Sequence, residues 1–181
     1  TGLTMTLPLY GVFGASGFGR EVMPLLRAQL QQVVSSEQLV FIDDAPSTTK
    51  LNGYDVLTWA EFLARPASQR SVVLAIANSR IREVLAQRCQ AAGVHQLSVQ
   101  AANVVRMDSI TLGEGAVLSP FVSLTSNIRI GCYFHANFYS YVAHDCIIGD
   151  FVTFGPRVMC NGNVHIEDHA YIGTGAILKQ G

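Results

Sequence analysis

Apolar side chains recur at every sixth position through the second half of this chain. Twelve consecutive positions at that interval, running from Leu112, Leu118, Leu124 and Ile130 to Ile172 and Leu178, are all apolar. With 49% apolar residues overall, such a run arises by chance about twice in ten thousand trials. A second register two residues earlier, from Ala116, Val122 and Ile128 to Ala170 and Ala176, is also small or apolar. Six is a multiple of the strand period of two, so both registers can point inward from short strands. A helix would turn by roughly 240° over six residues and scatter them. The pattern therefore predicts a parallel β-solenoid built from hexapeptide repeats.

The first hundred residues have a different rhythm. Leu9 to Phe13 reads as a strand, followed by a glycine turn and an amphipathic helix over Phe18 to Leu30. Leu39 to Ile42 and Tyr54 to Leu57 are further strands, with Ala45 to Asn52 loop-like between them. Thr58 caps a small helix, Ser71 to Ala77 is a buried strand, and Ser79 to Ala92 is a helix ended by Gly93. Alternating strands and helices imply a small parallel sheet. The expected organisation is an α/β Rossmann-like domain over residues 1–104 and an all-β solenoid over 105–181. The solenoid needs covering at both ends. The α/β domain covers its start. At Gly181 no capping segment is visible, so truncation or a partner surface is expected there.

Net charge is −1 and no Lys/Arg cluster stands out, which argues against nucleic acid as a partner. No apolar run reaches membrane-spanning length. Cys89, Cys132, Cys146 and Cys160 form no CxxC pair. They read as free thiols in a reducing cytoplasm, with Cys146 and Cys160 buried inside the solenoid.

The turn Gly14-Ala15-Ser16-Gly17-Phe18-Gly19 sits between a strand and a helix. Backbone N–H groups and the helix N-terminus there form an anion site, and glycine removes the side chains that would block it. Asp43 and Asp44 close the next strand, where a carboxylate contacts a ribose or base. A hundred residues hold half of a dinucleotide domain, and no catalytic Tyr/Lys pair follows. A mononucleotide, or the nucleotide part of an activated sugar, fits better than a dehydrogenase cofactor.

Both halves together resemble the sugar O-/N-acyltransferases of the sialic acid O-acetyltransferase type, which include bacterial N-acetyltransferases acting on nucleotide-linked 4-amino-4,6-dideoxy sugars. The resemblance is carried by residues 14–22 (GASGFGREV), Phe41-Ile42-Asp43-Asp44, and Ala75-Ile76-Ala77-Asn78 with Ile81-Arg82. Its most specific part is residues 142–151 (VAHDCIIGDF), followed by Asn161-Gly162-Asn163-Val164. It implies a left-handed β-helix, a homotrimer, and acetyl-CoA as co-substrate in the groove between neighbouring solenoids, with no metal. At the family's eighteen residues per coil, His144 occupies a corner between Ser126 and Gly162, leaving room for a thioester beside the ring. The resemblance implies His144 as general base and Asp145 as its orienting neighbour. It gives Gly162 as oxyanion donor and Asn137 as a residue that positions the sugar. The nucleotide would rest on Gly14, Ser16, Gly17, Phe18, Gly19, Asp43 and Asp44, with Asn78 beside them.

The chain departs from the family at three places. Phe18 stands where many members carry histidine, Thr153 aligns with a second family histidine, and Arg157 replaces a frequent glycine. Arg157 either contacts CoA phosphate or narrows the groove. The expected activity is acetyl-CoA-dependent N-acetylation of a nucleotide-activated amino sugar. The alternatives are sugar O-acetylation of the sialic acid type and a non-catalytic nucleotide- or sugar-binding relative. A zinc lyase on the same solenoid needs three converging histidines, and His144, His165 and His169 lack that spacing.

Overall fold

The computed structural model describes residues 6–31 and 35–181. Strand β1 (Leu9–Phe13) leads through the glycine turn into α1 (Gly17–Leu30). Then come β2 (Leu39–Ile42), β3 (Lys50–Leu51), β4 (Tyr54–Leu57), α2 (Trp59–Ala64), β5 (Arg70–Leu74), α3 (Ser79–Ala91) and β6 (His95–Gln96). The sheet order is β3-β4-β2-β1-β5-β6, parallel except for β3 against β4. Strand β3 lies in the stretch expected to be loop. Asn52 and Gly53, both at positive φ, turn it back onto β4 as a hairpin. Thr58 caps α2 as expected, in a reciprocal box with Glu61. Strand β5 is shorter than expected, because its neighbour β1 ends at Phe13, opposite Leu74.

Beyond β6 the chain winds into a prism of three parallel sheets, with strand partners eighteen residues apart. The first face stacks Val99, Val117, His135, Thr153 and Tyr171. The second stacks Val105, Ser123, Tyr141, Met159 and Ile177. The third stacks Thr111, Arg129, Ile147 and His165. This is an α/β domain followed by a left-handed β-helix. Both predicted inward registers form its core, from Leu118, Val122 and Leu124 through Phe134 and Phe154 to Cys160. Solenoid pairing starts at Val99, ahead of the expected 104/105 boundary. The first coil hides its rhythm by placing Gln100 and Arg106 opposite the core residues Leu118 and Leu124.

The corners repeat as regularly as the core. Every sixth residue from Ser109 to Gly175 takes positive φ, and ten of those twelve are not glycine. An L-residue there costs about 1–2 kcal/mol. Stacking between coils offsets part of it: Tyr133, Phe151 and His169 form one near-parallel ladder, and Phe121 and Tyr139 form another. The third corner carries Asn127, Asp145 and Asn163, residue types that tolerate this conformation.

The α/β domain covers the first face, burying Val99, Val117, His135 and Thr153 and leaving Tyr171 exposed. Gln29 of α1 ties it down by donating to the Ser98 carbonyl and accepting from the Gln100 amide.

Candidate active site

His144 stands on the corner between the second and third faces, about half exposed. Asp145 follows at φ 60°, a kink held by its N–H donating to the Ser126 carbonyl. That kink brings Asp145 Oδ2 within 2.7 Å of His144 Nδ1. A carboxylate only accepts, so Nδ1 carries a proton, and in the neutral ring Nε2 keeps its lone pair. One coil on lies Gly162. A Cβ at that position would fall 2.5 Å from His144 Cε1 and 2.6 Å from Nε2. Only glycine lets the ring sit there. The Gly162 N–H makes no backbone hydrogen bond among the described residues, whereas the Asn163 N–H is taken by the His144 carbonyl. An imidazole, a carboxylate and an N–H donor therefore meet at one solvent-facing corner.

Two thiols lie behind this corner. Cys146 and Cys160 are buried with sulfurs 3.9 Å apart. Burial, and secondarily Cys146, pushes the Cys160 thiol up to about 12. Cys89 and Cys132 are free as well. His165 pairs with Glu167 and His169 with Glu83. Among the described residues no three His, Cys, Asp or Glu side chains gather as a metal cage.

Asn137 and Arg157 lie elsewhere. They sit at the corner between the first and second faces, where the Arg157 guanidinium is 5.8 Å from the Tyr139 ring centre. The whole second face separates them from His144, so a single chain does not bring these three residues together.

The glycine turn is built by close approach. A Cβ on Gly14, at φ 124°, would lie 2.6 Å from the Ala75 carbonyl oxygen, and one on Gly19 would lie 1.7 Å from that of Gly14. These two glycines let helix and strand touch. Gly17 faces open space, approached only by the end of the Arg20 side chain. Ser16 is exposed at the N-cap without a capping bond, and the first turn of α1 has no acidic residue. The positive end of the helix is left uncompensated, as an anion site requires. The Phe18 ring packs on His135, centroids 5.3 Å apart.

The acidic pair divides its work. Both Asp44 oxygens accept from Arg88, at 2.9 and 2.7 Å, whereas Asp43 binds only the Ala45 N–H through Oδ1. Asp43 Oδ2 has no hydrogen-bond partner among the described residues. Arg88 also lies over Phe13, which stacks on Trp59. Sequence reasoning missed this aromatic wall, for which the only signal was Trp59 opening the short helix after a strand. Asn78 caps α3, its Oδ1 accepting from the N–H groups of Arg80 and Ile81. A cavity of about 640 Å³ opens between α1 and the first coil, lined by Leu25, Gln29, Arg106 and Leu118, and His144 is not part of it.

Residues 11–89 match the model of the PglD N-terminal domain. Over 174 residues the chain is 48% identical to the GDP-perosamine N-acetyltransferase of Escherichia coli O157:H7, covering 96% of this chain and 79% of the relative. It is 58% identical to the solved structure of WeeI from Acinetobacter baumannii AYE, with TM-score 0.94 over 96% of this chain and 82% of the other. The acetyltransferase domain of PglB from Neisseria gonorrhoeae FA1090, solved in complex with acetyl coenzyme A, is 26% identical with TM-score 0.85, covering 97% and 83% respectively.

Proposed function

The chain belongs to the family of bacterial nucleotide-amino-sugar acetyltransferases, and on that premise we propose that it moves the acetyl group of acetyl-CoA onto the amine of a GDP-linked 4-amino-4,6-dideoxy sugar. The observation that carries this reading is the 2.7 Å contact of Asp145 on His144 Nδ1, with Gly162 clearing space for the ring. His144 Nε2 takes the proton from the amine as its nitrogen bonds to the thioester carbon. The Gly162 N–H donates to the oxyanion of the tetrahedral intermediate. Asp145 holds the ring and stabilises the imidazolium, which returns its proton to the departing CoA sulfur. The diphosphate lies at the N-terminus of α1 over Gly17, and Asp43 takes the nucleoside. Acetyl-CoA as co-substrate, a nucleotide-sugar acceptor and free thiols support a cytoplasmic reaction in glycan biosynthesis.

The working unit is a homotrimer. The first face of the prism is covered except at Tyr171, and the third mixes Ile147 with Thr111, Arg129 and His165. The second, with Val105, Tyr141, Met159 and Ile177, is apolar and uncovered, Val105 being 47% and Ile177 74% exposed. Three copies packed by that face around an axis set the Arg157 corner of one against the His144 corner of the next. Asn137 and Arg157 then meet His144 across the seam where CoA lies.

The test is acetyl transfer to GDP-, UDP- and dTDP-linked 4-amino sugars beside free sialic acid. Turnover with the GDP-linked amine supports the reading. Turnover with sialic acid alone would replace it with O-acetylation, and turnover with none would reject it.

A further inference from the structure

Arg82 is fully buried, yet no carboxylate is among its partners. Its guanidinium donates instead to neutral groups of both halves of the chain. Within the α/β domain, Nη1 donates to the carbonyls of Ile76 at 2.8 Å and Ala77 at 3.3 Å. Across the boundary, Nη2 donates to Thr153 Oγ1 at 2.8 Å and the Val152 carbonyl at 3.4 Å, and Nη1 lies 3.3 Å from His135 Nδ1. A buried cation without a counter-charge is a poor way to add stability. What it supplies is geometry, because a planar fork satisfies several acceptors in only one arrangement.

The segments it joins are those that matter for transfer. Ile76 touches the glycine turn, since a Cβ on Gly14 would lie 3.0 Å from its side chain. Phe18 of the same turn packs on His135. Both walls of the nucleotide pocket thus rest on one polar node in the solenoid coil that carries the His144 corner. We infer that Arg82 is a positioning residue, fixing the nucleotide-sugar domain at the orientation that delivers the amine to the acetyl-transfer corner. This deepens the acetyltransferase reading and rests on it. A misplacement of about 1 Å costs up to roughly 10²-fold in rate.

A positioning role has a signature that a merely structural one lacks: each ligand binds normally and the reaction between them slows. The experiment measures Kd for GDP and for acetyl-CoA by calorimetry, and kcat with the GDP-linked amine, in wild type, Arg82→Met and Thr153→Val. The expected result for Arg82→Met is both Kd values within about twofold of wild type and kcat lower by at least about tenfold. Thr153→Val, which removes one acceptor of the fork, shifts kcat in the same direction by about threefold and serves if Arg82→Met does not fold. Unchanged kcat, or loss of ligand binding in the soluble variant, overturns the inference. A wild-type protein that acetylates no nucleotide-linked amine sinks the functional reading instead.

Discussion

The ring of His144 fills the space that a side chain at position 162 would need, with Nε2 only 2.6 Å from where that Cβ would stand. Two residues one coil apart are thereby matched, an imidazole and the absence of a side chain. Gly162→Ala is expected to push the ring off its corner and lower kcat about 10- to 10²-fold. The melting temperature should stay nearly constant, because the half-exposed ring can swing into solvent. Kinetics beside a thermal melt check this.

The proposed mechanism gives Asp145 two duties that substitution can separate. Asparagine tolerates positive φ, so Asp145→Asn should keep the fold while removing the charge that supports the imidazolium, lowering kcat by about 10²-fold. Asp145→Ala loses the same charge and adds backbone strain of about 1 kcal/mol. Measured together, the two variants should share a kinetic defect and differ in unfolding free energy.

The second face predicts assembly. Val105→Glu places a charge on its exposed apolar surface without touching the core. Light scattering should show a trimer for wild type and a monomer for the variant, whose activity should be lost because the His144 and Arg157 corners no longer meet. An active monomer would place the site within one chain.

His135 predicts acid sensitivity. Burial, and secondarily the Arg82 guanidinium, holds its pKa well below the usual histidine value. The unfolded chain therefore binds a proton that the folded chain refuses. Stability from this residue is complete above about pH 6.5 and falls as pH drops below it, by at most about 1.4 kcal/mol per unit. Urea unfolding at pH 7.5 and 5 should show a steeper loss for wild type than for His135→Gln.

The solenoid core was legible because its rule is periodic: Leu118, Phe134 and Phe154 are buried where counting by six places them. The positive-φ corners were not legible, since tyrosine, phenylalanine and arginine occupy them and stacking between coils, invisible in one dimension, makes that possible. Polar Gln100 and Arg106 masked the first coil. At the candidate site, counting by eighteen set Gly162 beside His144, and the structure places them in contact. The same counting does not say which carboxylate is already committed: Arg88, forty-four residues away, occupies Asp44 and leaves Asp43 available. Arg82 was legible as part of the motif that carries the resemblance, but its burial was not, because only the packed fold removes it from water.

The account depends on one imidazole nitrogen accepting the proton of the attacking amine. Steady-state kcat of His144→Ala with acetyl-CoA and the GDP-linked 4-amino sugar tests it most directly. We expect a fall of about 10²- to 10⁴-fold with binding of both substrates retained. A rate within a few-fold of wild type would contradict it.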